Sequence, residues 1–157
     1  MKVTLLCVGK TDEEYLQKGI EKYLKRLKHY VSFEVAIIPD LKQTKNLTEK
    51  QQREKEGQAM LKHVQPTDML VLMDERGKTL RSVEFAAFFE KQMLNSVPHI
   101  VFGVGGPYGF DDAVYQRANS IMSLSTMTFS HQMVRLFFVE QVYRAFSIIR
   151  GEPYHHE

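Results

Sequence analysis

Hydrophobic positions along this chain follow two rhythms that take turns. Apolar runs of strand length occupy residues 3–8, 33–38, 69–73, 100–104 and 121–125, and their strand-forming side chains predict five strands. Between the runs the apolar positions recur at helical spacing. Tyr15, Leu16, Ile20, Tyr23, Leu24 and Leu27 form one stripe, and Thr11 with Glu14 ahead of it reads as a capping box. Thr48 with Gln51 makes a second capping box before a highly charged helix. Pro66, Thr67 and Asp68 turn the chain into the third run, and residues 74–78 read as a turn out of it. Ser82 then reads as the cap of a helix carrying Phe85, Phe88 and Phe89, and Asp111 as the cap of a short one. Strands alternating with helices predict one α/β domain over residues 1–157, a mostly parallel sheet with helices on both faces.

The last helix, residues 130–150, breaks the amphipathic pattern. Its apolar side chains, from Met133 to Ile149, cover about two-thirds of the circumference at roughly 100° per residue. A surface helix hides a narrower stripe, so a second burying surface is implied. A homodimer partner is one candidate for it, and a position deep within the chain's own fold is the other. The polar arc of this helix holds Glu140, Arg144, Ser147 and Arg150, with Glu140 and Arg144 at ion-pair spacing.

Composition narrows the picture without deciding it. The hydrophobic content of 43 % is that of a globular protein, and every apolar run falls far short of a membrane span. The short apolar N-terminus reads as a strand rather than a leader, which predicts a cytoplasmic protein. Cys7 is the only cysteine and lies within the first apolar run, so it reads as a buried core thiol. A net charge of +2 is too weak to indicate nucleic acid by itself. Thirteen of the 21 basic residues fall in the first 62 positions, mostly lysines among glutamates, which favours solvated helix faces over phosphate contacts. Beyond position 100 every basic residue is an arginine, a side chain whose planar fork suits phosphates.

Most chemical motifs fail on their spacing. Gly9-Lys10-Thr11 and Gly77-Lys78-Thr79 resemble the end of a P-loop, but Thr4 and Leu72 stand where its first glycine is required. Gly103-Val104-Gly105 begins like a dinucleotide fingerprint until Tyr108 takes the third glycine's place. The terminal His155 and His156 have no partner cluster, so no metal site is expected. What survives is the cluster Gly103, Gly105, Gly106 and Gly109 directly after a strand, where ligands of open α/β sheets bind. A tight turn around Pro107 is the alternative reading. After Gly151 the chain closes with Pro153, Tyr154, His155 and His156, side chains able to stack on unpaired bases.

Taken together, the segments VTLLCVGK, REKEGQAML, VGGPYGF, SLSTMTFSHQMVR and EQVYRAFSIIRGEPYHHE resemble the RlmH family over the full chain. Its members are SPOUT-class methyltransferases that modify pseudouridine in large-subunit ribosomal RNA. The resemblance implies a trefoil knot at the C-terminal side of the sheet, S-adenosylmethionine as cofactor, and a homodimer with the site at its interface. Cofactor-binding residues would be Leu72, Met73, Gly105, Gly106, Ser125, Thr126, Met127, Thr128, Phe129 and Ser130. His131, Arg135, Tyr143 and Tyr154 would face the substrate, and Arg144, Glu140 and His155 would serve catalysis on N3 of the base in the assembled ribosome. The rival expectations are a non-catalytic ribosome- or RNA-associated factor of the same fold and a methyltransferase of another RNA.

Overall fold

The computed structural model describes residues 1–156. Five strands, β1 (Lys2–Val8), β2 (Ser32–Ile38), β3 (Met69–Thr79), β4 (His99–Val104) and β5 (Ser120–Ser123), pair in parallel in the order β2-β1-β4-β3-β5. Each crossover runs through a helix: α1 (Glu14–Leu27), α2 (Glu49–Leu61), α3 (Ser82–Leu94) and the short α4 (Asp112–Arg117). The final helix, α5 (Met133–Ile149), follows β5. Strands buried on both faces read as near-continuous apolar runs, which is why β1, β4 and the first half of β3 stand out in the sequence.

The alternation of side chains along the strands sends them to two cores. Val3, Leu5 and Cys7 of β1 join Phe102 of β4, Ile20 of α1, Phe85 and Phe89 of α3, and Phe138 and Val142 of α5. On the opposite face Leu6 and Val8 join Leu70 and Leu72, with Met60 of α2 and Val114 of α4. Cys7 is fully buried, and desolvation pushes its thiol up to about 11 against the opposing pull of the Arg135 charge.

Several local expectations are corrected. Thr11 does not cap α1: the helix starts at Glu14 without a side-chain cap, and the Thr11 hydroxyl instead accepts from Arg135. Ser82 is the first residue of α3, its hydroxyl donates to Gln141 of α5, and the Glu84 carboxylate accepts from the Arg81 backbone N–H. The Thr48–Gln51 capping box and the Asp111 cap form as the sequence predicts. Residues 74–78 are not a turn. The strand β3 runs on to Thr79 through a bulge, so that Met122 of β5 faces both Met73 and Lys78. Glycine is needed there, because a Cβ on Gly77 would lie 2.5 Å from the Met122 backbone.

The breadth of the apolar surface on α5 has a partial explanation within the chain. The helix lies between α1 and α3 on one face of the sheet, burying Phe138, Val139, Val142, Ala145 and Phe146 beneath it. Its flanks are used as well: Leu136 packs on Gly19 of α1, and Phe146 meets Phe89 of α3. Phe137 is left outside this packing, exposed and tilted against the equally exposed Phe129 with ring centroids 5.0 Å apart. No helix among the described residues is long and apolar enough to cross a membrane.

Candidate active site

The bulge of β3 and the carboxyl ends of β4 and β5 open onto a cleft of about 930 Å³. Its floor and walls come from residues 73–76, 104–112 and 122–125, and residues 127–131 close one side. Lys50, Arg53 and Glu54 of α2 form part of the rim. This is the place where parallel α/β sheets bind ligands, because strands there end and their backbone groups turn outward. The volume is at the upper end of what small-molecule sites use, about 300–1,000 Å³.

The glycine loop predicted from sequence is the centre of this cleft. Gly105 and Gly106 line it, and a bridge between Gly106 and Gly109 folds the loop back over Pro107 and Tyr108. Ser125, Met127, Thr128, Phe129 and Ser130 line it too, as does Met73. Leu72 does not: it has no exposed surface and packs near Met60 and Gly103 in the second core. Thr126 is not among the lining residues, whereas His131, expected on the substrate side, is. The segment is held at both ends. The Ser123 hydroxyl donates to the Ser125 carbonyl at 2.7 Å, and the Ser130 hydroxyl accepts from the Met133 N–H at the start of α5.

Sequence reasoning missed one wall of the cleft. The Asp74 carboxylate accepts from the Arg76 backbone N–H at 2.8 Å and from the Tyr115 hydroxyl, while the Arg76 guanidinium stacks on the Tyr115 ring. Burial opposes ionisation of Asp74, but these donors outweigh it and hold the carboxyl below its ordinary value. Burial, then the hydrogen bond and charge of Asp74, push the Tyr115 phenol up to about 12 against the opposing pull of Arg76. The only signal in the sequence was the charged stretch 74–78, and reading it as a turn hid it.

The remaining predicted residues form a second group. Arg144 donates to Glu140 at 2.6 Å with its guanidinium 4.7 Å from the Tyr154 ring centroid, and the Tyr154 hydroxyl donates to Glu140 at 3.0 Å. Tyr143 packs edge-on against Tyr154 and Tyr30. Burial, then the neighbouring Tyr23 hydroxyl and the Glu140 carboxylate, push the Tyr154 phenol well up, which keeps it a donor. Glu140 and Arg144 side chains are only 16 % and 25 % exposed, so this is a preformed cluster rather than a solvated face. His155 is half-buried beside Tyr154 in the tail. Ser147, read as part of the polar arc, is buried and bonds the Arg144 carbonyl.

Within one chain the two groups are apart. None of Glu140, Tyr143, Arg144, Tyr154 and His155 lines the cleft, and α5 enters it only at Val134. Ten residues of helix separate Val134 from Arg144, about 15 Å at 1.5 Å per residue. Arg135 belongs to neither group. It is the largest side chain with no exposed surface, and its guanidinium donates to the carbonyls of Val8, Gly9 and His131 and to the Thr11 hydroxyl. The expected contact with substrate is replaced by a tie between α5 and the end of β1. Among the described residues no cluster of His, Cys, Asp or Glu is arranged to hold a metal.

Known proteins resemble this one throughout. The family profile described as "Predicted SPOUT methyltransferase" matches residues 1–155. Ribosomal RNA large subunit methyltransferase H of Parabacteroides distasonis is 54 % identical over 157 residues, all of both chains. The proteins of that name from Bacteroides fragilis and Flavobacterium johnsoniae are 54 % and 53 % identical, each covering all of both chains. A solved structure, that of a probable methylase family protein from Haemophilus influenzae, superimposes with a TM-score of 0.53. It covers 99 % of this chain and 70 % of that one at 9 % identity, a likeness of fold alone.

Proposed function

The chain belongs to the SPOUT methyltransferase family, and we propose that it methylates N3 of a pseudouridine in large-subunit ribosomal RNA, within the assembled ribosome in the cytoplasm. The observation that carries this reading is the cleft at the β3 bulge and the carboxyl ends of β4 and β5, walled by the glycine loop and residues 122–125 and 127–131. S-adenosylmethionine fits it by chemistry as well as volume. Met73, Val104, Met122, Leu124 and Val134 offer apolar surface to an adenine ring, and the loops around Gly105, Gly106 and residues 125–130 offer backbone groups to its polar edges. The family's trefoil knot is the threading we assign to these loops.

The cofactor supplies an electrophilic methyl group on a sulfonium. The chain's part is to align the base for in-line attack, exclude water, and favour loss of the N3 proton. Arg144 is suited to stabilise the negative charge that develops on the ring, because Glu140 and the Tyr154 ring fix its guanidinium in place. Glu140 orients Arg144 and accepts a hydrogen bond from the Tyr154 hydroxyl, and His155 in the same tail is the proton acceptor we assign. The separation of this cluster from the cleft within one chain supports a homodimer in which each α5 and tail complete the partner's cleft. Phe137 and Phe129, left outside the core beside a groove of about 330 Å³, are apolar surface such a dimer would cover.

Mass spectrometry of ribosomal RNA from cells lacking the protein tests the activity: one methyl on a large-subunit pseudouridine is lost and is restored on purified ribosomes by the protein with S-adenosylmethionine. An unchanged methylation pattern overturns the reading. Calorimetry without S-adenosylmethionine binding favours the non-catalytic rival. Full activity of Arg144→Ala removes the role given to Arg144, and sedimentation as monomer alone removes the dimer.

A further inference from the structure

One polar group near the cleft is left unanswered by the fold. In the segment REKEGQAML of α2, Glu54 and Lys55 point to solvent, but the Glu56 side chain turns inward and is only 6 % exposed. Its Oε1 accepts from Gln52 at 3.0 Å, whereas its Oε2 is buried with no hydrogen-bond partner among the described residues. That oxygen lies directly beneath the glycine loop, 2.5 Å from where a Cβ on Gly106 would stand. Gly106 itself lines the cleft.

A carboxylate with one oxygen unpaired is costly to bury, so burial outweighs the Gln52 hydrogen bond and pushes Glu56 above the ordinary carboxylate range. The charged groups around it come from three other elements. Asp40, after β2, opposes its ionisation; His131, before α5, favours it; and Asp111, at the head of α4, lies against the neighbouring Gly57 with its Oδ1 engaged by the Val114 N–H. Asp74, on the cleft wall, is shifted the opposite way and is already ionised when Glu56 titrates. Positive charge placed over Gly106 would offset the cost that Glu56 otherwise bears, and in a buried setting such an interaction is weakly screened.

We propose that Glu56 is a buried counter-charge that makes the cleft prefer a cationic sulfonium ligand over its neutral thioether product. The inference rests on the cleft being the S-adenosylmethionine site. S-adenosylmethionine and S-adenosylhomocysteine share every other group, so they differ at this site by one methyl and one positive charge. Linkage then fixes the signs: the sulfonium ligand favours ionised Glu56, so its binding releases a proton and tightens as pH rises through the Glu56 titration. The thioether does neither. Donor is held and spent product leaves.

The test is calorimetry of both ligands on the full chain, in buffers of different ionisation enthalpy, at a series of pH values from the ordinary glutamate value of about 4.3 up to about 8. Proton release is expected with S-adenosylmethionine within the Glu56 titration, above the ordinary glutamate value, and not with S-adenosylhomocysteine. Glu56→Gln, which keeps the shape and removes the charge, is expected to abolish the release and to reduce the preference for the sulfonium by about 5-fold or more. Equal proton exchange for the two ligands, or an unchanged preference in Glu56→Gln, overturns the proposal. If thermal melting shows that the variant does not fold, the wild-type proton inventory decides alone. Binding of neither ligand overturns the cofactor reading itself, a result distinct from binding without linkage.

Discussion

Replacing Arg135 with methionine separates a structural role from an RNA-binding one. Methionine fills much of the space of the arginine stem but donates nothing. The guanidinium now supplies 2.8 Å hydrogen bonds to the carbonyls of Val8 and Gly9, and no part of the side chain reaches solvent. Each buried carbonyl left without a donor costs about 1–3 kcal/mol, so the two together cost about 2–6 kcal/mol. The charge leaves with the side chain, so no buried ion is orphaned, and we take about 4 kcal/mol as the expected loss. At about 2–4 °C per kcal/mol for a chain of this size, Tm falls by about 8–16 °C. Scanning calorimetry of wild type, Arg135→Met and Arg135→Lys measures it, and the lysine variant, with a charge but no fork, is expected to fall between the others. Kinetics on ribosomes well below the lower Tm supply the second reading. A Tm drop under about 3 °C with lost affinity for RNA would refute the reasoning and restore Arg135 to the substrate surface.

Gly77→Ala drives a methyl group into the backbone of Met122, so β5 must shift; overpacking of this kind costs about 1–3 kcal/mol. The same shift disturbs the segment after β5, so S-adenosylmethionine affinity by calorimetry is expected to fall together with Tm. Tyr30 is raised to about 12 chiefly by its hydrogen bond to Glu152, and Tyr115 to about 12 chiefly by burial. A phenol raised in the folded state stabilises it fully below the unfolded value of about 10 and loses that contribution as pH rises through the folded value. Chemical denaturation should therefore show constant contributions up to about pH 10 and a decline from there to about 12, with late phenolate absorbance for Tyr30, Tyr115 and Tyr154. Cys7, fully buried with its thiol raised to about 11, should resist alkylation at pH 8 in the native protein and react on unfolding, as intact mass reports.

How much could be read from the chain differs by level. The central strands were legible because both their faces are buried, leaving near-continuous apolar runs such as residues 3–8. The Thr48–Gln51 box was legible because a capping box is made within four residues. The Thr11–Glu14 pair has the same pattern and does not form, because Arg135, 124 positions away, claims the Thr11 hydroxyl. Residues 74–78 carry turn chemistry, yet pairing with β5 draws them into a bulged strand. Local propensity loses there to partners that only the fold supplies.

The glycine loop after β4 shows the same division within the cleft. Residue order alone placed four glycines at a strand's carboxyl end, and the parallel sheet then fixed where a ligand could enter. What the loop rests on was not readable: Glu56 looked like one more glutamate in a charged helix, because neither its inward turn nor its nearness to Gly106 leaves a local trace. Arginine at 135 looked like a phosphate ligand for the same reason. Local pattern was enough for the alternation of strands and helices, the apolar breadth of α5 and the chemistry present near Gly105 and Arg144. Which polar groups face inward depends on the fold, because burial and hydrogen-bond partners are properties of segments brought together from distant parts of the chain.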